Sequence, residues 1–151
     1  MPVSITQARD EIFGLLRREW EAESFKHTPD RKVPEVRWPG VEKKELPSTD
    51  AVWIRVSLQH TSSGPGALGK FAGKRLFTRT GLLVVQVFTP LSADPGGDMN
   101  CRLSRVVQAA FEGDATEGGV WFRNATIREI GASDSWLQTN VTVSFTYDEL
   151  T

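Results

Sequence analysis

The chain has 151 residues, 39% of them hydrophobic and 25% charged, which predicts a single soluble domain with a hydrophobic core of its own. A net charge of −1 and a pI near 6.1 exclude the strongly basic footprint of a tight nucleic-acid binder. The single cysteine, Cys101, excludes an internal disulfide and points to a reducing compartment; no apolar run reaches the length of a membrane span or follows a basic start as in a signal peptide.

The first element is a helix. Ser4 and Gln7 form an S-x-x-Q capping box with Val3 and Ala8 at the staple positions. Ile5, Ala8, Ile12, Leu15, Leu16 and Trp20 follow at helical spacing, which predicts a helix over 5–24. Residues 26–49 change character. Pro29, Pro34, Pro39, Gly40 and Pro47 interrupt a charged stretch, so an extended linker is expected, with one short strand at 35–38. A segment this long either wraps the sheet edge or reaches toward a partner.

Residues 51–60 carry the cleanest strand pattern, with Val52, Ile54, Val56 and Leu58 on one face and Trp53, Arg55, Ser57 and Gln59 on the other. The Gly- and Ser-rich stretch 61–74 reads as a mobile loop. Residues 75–90 predict a hairpin that turns near Thr80-Gly81. Its second strand, 82–88, is apolar at almost every position, as expected in the middle of a sheet covered on both faces.

Asp98 is expected to cap a second helix whose stripe is Leu103, Val106, Val107, Ala110 and Phe111, with Gly113 where a C-terminal glycine is favoured. A strand over 120–130 follows, and Val120, Phe122 and Ile127 share a face only if a bulge falls near Asn124-Ala125. Residues 131–135 make a turn. The strand at 136–147 sets Val141, Val143, Phe145 and Tyr147 against Asn140, Thr142, Ser144 and Thr146. The order α-β-ββ-α-ββ predicts an α+β domain over 1–151, a mainly antiparallel β-sheet with two packed helices.

Few residues invite chemistry. The stretch from Gly64 to Lys70 matches G-x-x-x-x-G-K, but Phe71 follows where a phosphate-binding loop needs Ser or Thr, and no helix is expected there. His27, His60 and Cys101 lack metal-ligand spacing, and Cys101 reads as a small semi-buried side chain on a helix. The carboxylate pairs Glu42/Glu45, Asp94/Asp98 and Asp148/Glu149 lie in turns, loops or the tail. No catalytic, cofactor or metal site is predicted. Of the five tryptophans, Trp20 belongs to the core. Trp53 beside Arg55, with Trp121 and Trp136, has two readings: interface anchors, or cover for the second sheet face within one subunit. The charge is also uneven. Residues 1–97 hold 14 Lys/Arg against 11 Asp/Glu and residues 98–151 hold 4 against 8, a split compatible with head-to-tail self-association and also with chance.

The run F-T-R-T-G-L-L-V-V-Q-V-F-T-P, then Gly96-Gly97 and a helix, resembles the tail terminator proteins of long-tailed bacteriophages. So do G-V-W-F-R-N-A-T-I-R-E-I-G, S-W-L-Q-T-N-V-T-V-S-F-T-Y-D-E and the opening I-F-G-L-L-R-R-E-W, and the likeness covers most of the chain outside 26–49. The resemblance implies a non-enzymatic virion protein without cofactors, assembled in the cytoplasm of a bacterial host. Such a protein forms a ring of its own copies, commonly a hexamer, at the neck of the virion. It caps the tail tube, ends tube polymerisation and meets the head connector or head-completion protein, while DNA only passes through and no membrane is involved. Ring closure needs two unlike patches per subunit, and a free sheet edge could add a strand from a neighbour. Trp53, Arg55, Lys70, Lys74, Arg75 and Arg79 are the expected contact residues. The alternatives are another neck or tail-tube protein, a small binding module from a prophage remnant, or a nucleotide-binding enzyme using the loop that ends at Lys70.

Overall fold

The computed structural model describes residues 2–41, 45–67, 69 and 73–151. It is an α+β fold: α1 (Ile5–Glu23) with a 3-10 turn (Ser24–His27), then β1 (Glu35–Arg37), β2 (Trp53–Pro65), β3 (Leu76–Pro90), α2 (Asp98–Phe111), β4 (Trp121–Ser133) and β5 (Trp136–Leu150). The five strands form one sheet in the order β1-β2-β3-β5-β4, antiparallel except for β1 against β2.

α1 starts as its cap requires: the Ser4 side chain accepts from the Gln7 N–H, and Ala8, Ile12, Leu15, Leu16 and Trp20 are buried. The linker wraps the sheet edge. Its β1 pairs parallel with the start of β2, and a parallel neighbour cannot be reached by a tight turn, so the chain needs the long return 38–52. Its contacts with α1 include the Trp20 indole donating to the Pro34 carbonyl (3.2 Å), the Trp38 ring meeting Phe13 (5.4 Å between centroids) and the Arg17 guanidinium 5.1 Å from the Trp38 ring.

Two expectations about the middle of the chain are corrected. There is no hairpin at Thr80-Gly81. β3 runs unbroken for 15 residues and pairs along its length with both β2 and β5. Gly81 is there for space: a Cβ on it would collide with the Gln59 carbonyl and the Phe145 ring. Nor is 61–74 wholly a loop, because β2 continues past a bulge between His60 and Ser62 to pair Pro65 with Phe77.

β3 does lie at the centre of the sheet, but only one face is covered by helices. Ile54, Val56, Leu83, Val85, Val87, Val141, Val143, Phe145 and Tyr147 pack there with both helices in one core. The other face carries a smaller cluster of Trp53, Phe88 and Trp136 at one end and is open over the remainder, which leaves Leu82 and Val84 half-buried.

The cap of α2 is also corrected. Asp98 is the first helical residue and exposed. The buried Asp94 does the capping, with Oδ1 accepting from the Met99 N–H and Oδ2 from the Asn100 N–H, both at 3.0 Å. Gly96 (φ +83°) and Gly97 (φ +73°) make the left-handed steps that swing the helix start back over Asp94. The expected bulge in β4 is present between Arg123 and Thr126, with Asn124 at φ +56°. The turn to β5 is tighter than expected, with Asp134 at φ +53° and pairing resumed by Ser133 and Trp136.

Candidate functional site

Strand pleating assigns the predicted contact residues to two separate places. Trp53 and Arg55 open β2 on the uncovered face. The Trp53 ring is only 2% exposed: it stacks on Phe88 (4.1 Å, 10°) and meets Trp136 edge-on (5.7 Å). Trp53 and Trp136 therefore cover part of the second sheet face within the subunit, while Trp121 is 48% exposed at the far strand. The guanidinium of Arg37 lies 5.3 Å from the Trp53 centroid and that of Arg55 lies 5.6 Å from Phe88, so two cations rest on the aromatic cluster. Arg55 is exposed, and its Nε donates to the Gln86 Oε1 at 2.6 Å.

Arg79 sits elsewhere. It is seven residues along β3 from Gln86, about 23 Å, and points to the helix-bearing face. It is the hub of a polar cluster between β2, β3, β5 and the start of α1. Its Nη2 pairs with the Glu149 Oε1 (2.8 Å) and its Nη1 donates to Ser63. The other Glu149 oxygen accepts from the Ile5 N–H (2.9 Å), and the Tyr147 hydroxyl shares a hydrogen bond with the His60 Nε2 (2.6 Å). Although His60 is largely exposed, partial desolvation and then the Arg79 charge push its pKa below the ordinary 6.5, with Glu149 opposing and Arg9 adding slightly. Burial, followed by Glu149, raises the pKa of the Tyr147 phenol above 10.0. Lys74 and Arg75 are exposed beside this end of the sheet. Arg75 is held by its backbone, which exchanges hydrogen bonds with Thr151 in both directions (2.8 and 2.9 Å). Lys70 and Glu42 lie outside the described residues.

Between these two ends the open face is a grid. Arg55, Gln86, Asn140 and Arg128 form one row across β2, β3, β5 and β4. Ser57, Val84, Thr142 and Thr126 form the next, and Gln59, Leu82, Ser144 and Arg123 the third. The β4 members follow from the bulge expected near Asn124-Ala125, which sets Thr126 and Arg128 on the same face as Arg123. The partners of Arg79 could not be read ahead: Glu149 is 70 residues away, and His60 and Tyr147 are 87 apart.

The loop ending at Lys70 lacks the geometry of a phosphate cradle among the described residues. Gly64 and Pro65 are in β2, and the chain re-emerges into β3 instead of a helix. Cys101 is exposed on α2, not semi-buried. It borders a cavity of about 290 Å³ lined by Leu91, Pro95, Ile127 and Leu137, in which both Asp94 oxygens are already taken by Thr89, Met99 and Asn100. Among the described residues no group of His, Cys, Asp and Glu side chains is placed to hold a metal ion, and no helix is long and apolar enough to cross a membrane.

A solved protein structure that carries no functional name shares this fold. It is 16% identical to the chain, with a TM-score of 0.61 over 91% of this chain and 94% of its own. At that identity the likeness speaks for the architecture alone. No family model and no curated protein matches the sequence.

Proposed function

We propose that the protein is a structural tail terminator of a long-tailed bacteriophage: a ring of its own copies that caps the tail tube, stops tube growth and forms the junction with the head connector. The observation that carries the reading is the resemblance of the three sequence runs, which together span β3 with the start of α2, β4 and β5, reinforced by the opening of α1. The subunit geometry suits the role. A ring closes through a heterologous contact, and one end of this sheet presents an aromatic cluster topped by Arg37 while the other presents Lys74, Arg75 and the Arg79–Glu149 hub. The first patch is aromatic and the second is built around an ion pair, so the two differ in kind, as a heterologous contact requires.

The experiment is electron microscopy of virion assembly with and without the protein. In its absence, tail tubes should overrun their normal length or fail to join heads. Normal tails without it would overturn the assignment, as would a strict monomer by native mass spectrometry in the presence of tail tubes.

A further inference from the structure

The three central rows of the open sheet face contain three arginines, four hydroxyls, three amides and no carboxylate, in a chain whose acidic residues outnumber its basic ones. The acids on that face stand at its two extremities. Glu35 neighbours Arg37 at 3.8 Å, and the Asp148 Oδ1 accepts from the Thr78 hydroxyl at 2.7 Å. Arg123 and Arg128 have no carboxylate partner among the described residues, and Arg55 is oriented by the neutral Gln86 amide and the Phe88 ring, so all three charges are uncompensated.

The spacing is as informative as the composition. β2 and β4 are three strand intervals apart, about 14 Å, so Arg55 flanks one side of a neutral strip and Arg123 and Arg128 flank the other. The major groove of B-form DNA is about 12 Å wide. A face of guanidinium, hydroxyl and amide groups supplies many donors, and phosphate oxygens are acceptors only. A protein partner would instead look for an apolar centre; here the centre holds only the half-buried Leu82 and Val84, and the one exposed aromatic among the described residues of this face, Trp121, stands at the β4 margin under Arg123.

We propose that this open face is a sequence-nonspecific contact surface for the phosphate backbones of double-stranded DNA. Arg55 takes one backbone and Arg123 with Arg128 the other, while the hydroxyls and amides between them add neutral hydrogen bonds. Three phosphate contacts make a weak, salt-sensitive grip, consistent with an overall charge of −1. The inference goes beyond the assembly reading, in which DNA merely passes, and it is tested on the purified protein without tails or heads.

The test is fluorescence anisotropy of a labelled DNA duplex titrated with the protein at several salt concentrations. Three phosphate contacts predict a slope of log K against log salt of about −2.7, or roughly a 40-fold loss between about 50 and 200 mM salt. The combined Arg55→Gln, Arg123→Gln and Arg128→Gln variant should lose nearly all of that slope. A control with Arg18→Gln, Arg102→Gln and Arg105→Gln on the helices removes the same charge and should keep it. Ser57→Glu with Thr142→Glu leaves every arginine in place and should also abolish binding, so it decides the matter if the arginine variant does not fold. Absence of salt-dependent binding by the unaltered protein overturns the proposal. So does equal weakening by the helix control, persistent binding by the Ser57→Glu/Thr142→Glu variant, or a finding that the face instead drives self-association at low salt.

Discussion

Replacing Asp94 by alanine should destabilise the protein far more than replacing Asp98, although Asp98 is the residue that local sequence rules nominate as the cap of α2. Asp94 is buried, and its carboxylate takes three hydrogen bonds: from the Thr89 hydroxyl (2.9 Å) and from the N–H groups of Met99 and Asn100 (3.0 Å each). An N-cap removed by alanine costs roughly 0.5–2 kcal/mol, and each buried donor left without an acceptor costs about 1–3 kcal/mol. The terms overlap, because the cap bonds are the same bonds, so a total of about 2–4 kcal/mol is expected. At about 2–4 °C per kcal/mol for a chain of this length, the melting temperature should fall by roughly 5–15 °C. Asp94→Asn keeps one acceptor oxygen and should lose about half as much. Asp98 is different: its side chain is 76% exposed and among the described residues pairs only with Arg102 one turn on, so Asp98→Ala should cost at most about 1 kcal/mol. Urea unfolding followed by circular dichroism at 222 nm reads all three. If Asp98→Ala matched or exceeded Asp94→Ala, the Asp94 carboxylate would not be the cap of α2.

Gly81→Ala should destabilise by about 1–3 kcal/mol by overpacking, because its methyl group has to displace the Gln59 carbonyl or the Phe145 ring; an unchanged urea midpoint would show that β2 and β3 approach less closely than described. Leu16→Ala, at a fully buried site of α1, should cost about 2–5 kcal/mol in the same assay, and a loss under 1 kcal/mol would place that face outside the core. His60 sets a pH dependence. Its folded pKa lies below the unfolded 6.5, so its contribution is complete above pH 6.5; it is lost as pH falls from there through the folded value, where the unfolded chain binds the extra proton. His60→Gln should flatten that part of the stability profile, and a wild-type slope of the opposite sign would refute the lowering by desolvation and Arg79. Tyr147 acts at the other end: stability should decline as pH rises above 10.0, where the unfolded phenol ionises first, and Tyr147→Phe should remove that decline.

What could be read from the sequence was local. The Ser4 cap, the α1 stripe and the alternation of Val141, Val143, Phe145 and Tyr147 each depend on residues within a few positions, and each is found. The β4 bulge was legible for a related reason: Val120, Phe122 and Ile127 are out of phase within eight residues, and only an extra residue restores them. The misreadings share a non-local cause. A glycine after a threonine reads as a turn unless one knows that the Gln59 carbonyl and the Phe145 ring close on it. Ser62, Ser63 and Gly64 read as a loop because their strand partners, Thr80, Arg79 and Thr78, lie across the connection. Asp98 reads as a cap because it adjoins the apolar stripe, whereas the two left-handed glycines bring Asp94 into position from four residues earlier. Of the expected contact residues, Trp53 was placed on the correct strand face, but its burial against Phe88 and Trp136 required knowing that all three rings meet at one end of the sheet.

The edges of the sheet bear on how copies of such a subunit could meet. A long regular edge strand is a template for adding a neighbour's strand, and neither edge here is regular. β1 covers only Trp53, Ile54 and Arg55 of β2, and the uncovered stretch beyond is broken by the bulge between His60 and Ser62. The opposite edge, β4, is broken twice, after Arg123 and after Glu129. Each bulge twists the strand and takes its N–H and C=O groups out of register with an incoming partner, a common means of suppressing edge-to-edge pairing. Continuation of the sheet from subunit to subunit is therefore disfavoured at both ends of the strand order. If copies assemble into the proposed ring, their contacts would fall to side chains, with Arg37 over the aromatic cluster at one end and Lys74 and Arg75 beside the Arg79–Glu149 hub at the other. On this argument, charge reversal at Lys74 and Arg75 should weaken self-association measurably, whereas a proline at the exposed Thr126 on the β4 edge should leave it intact. Sedimentation showing the reverse would restore strand addition as the means of assembly.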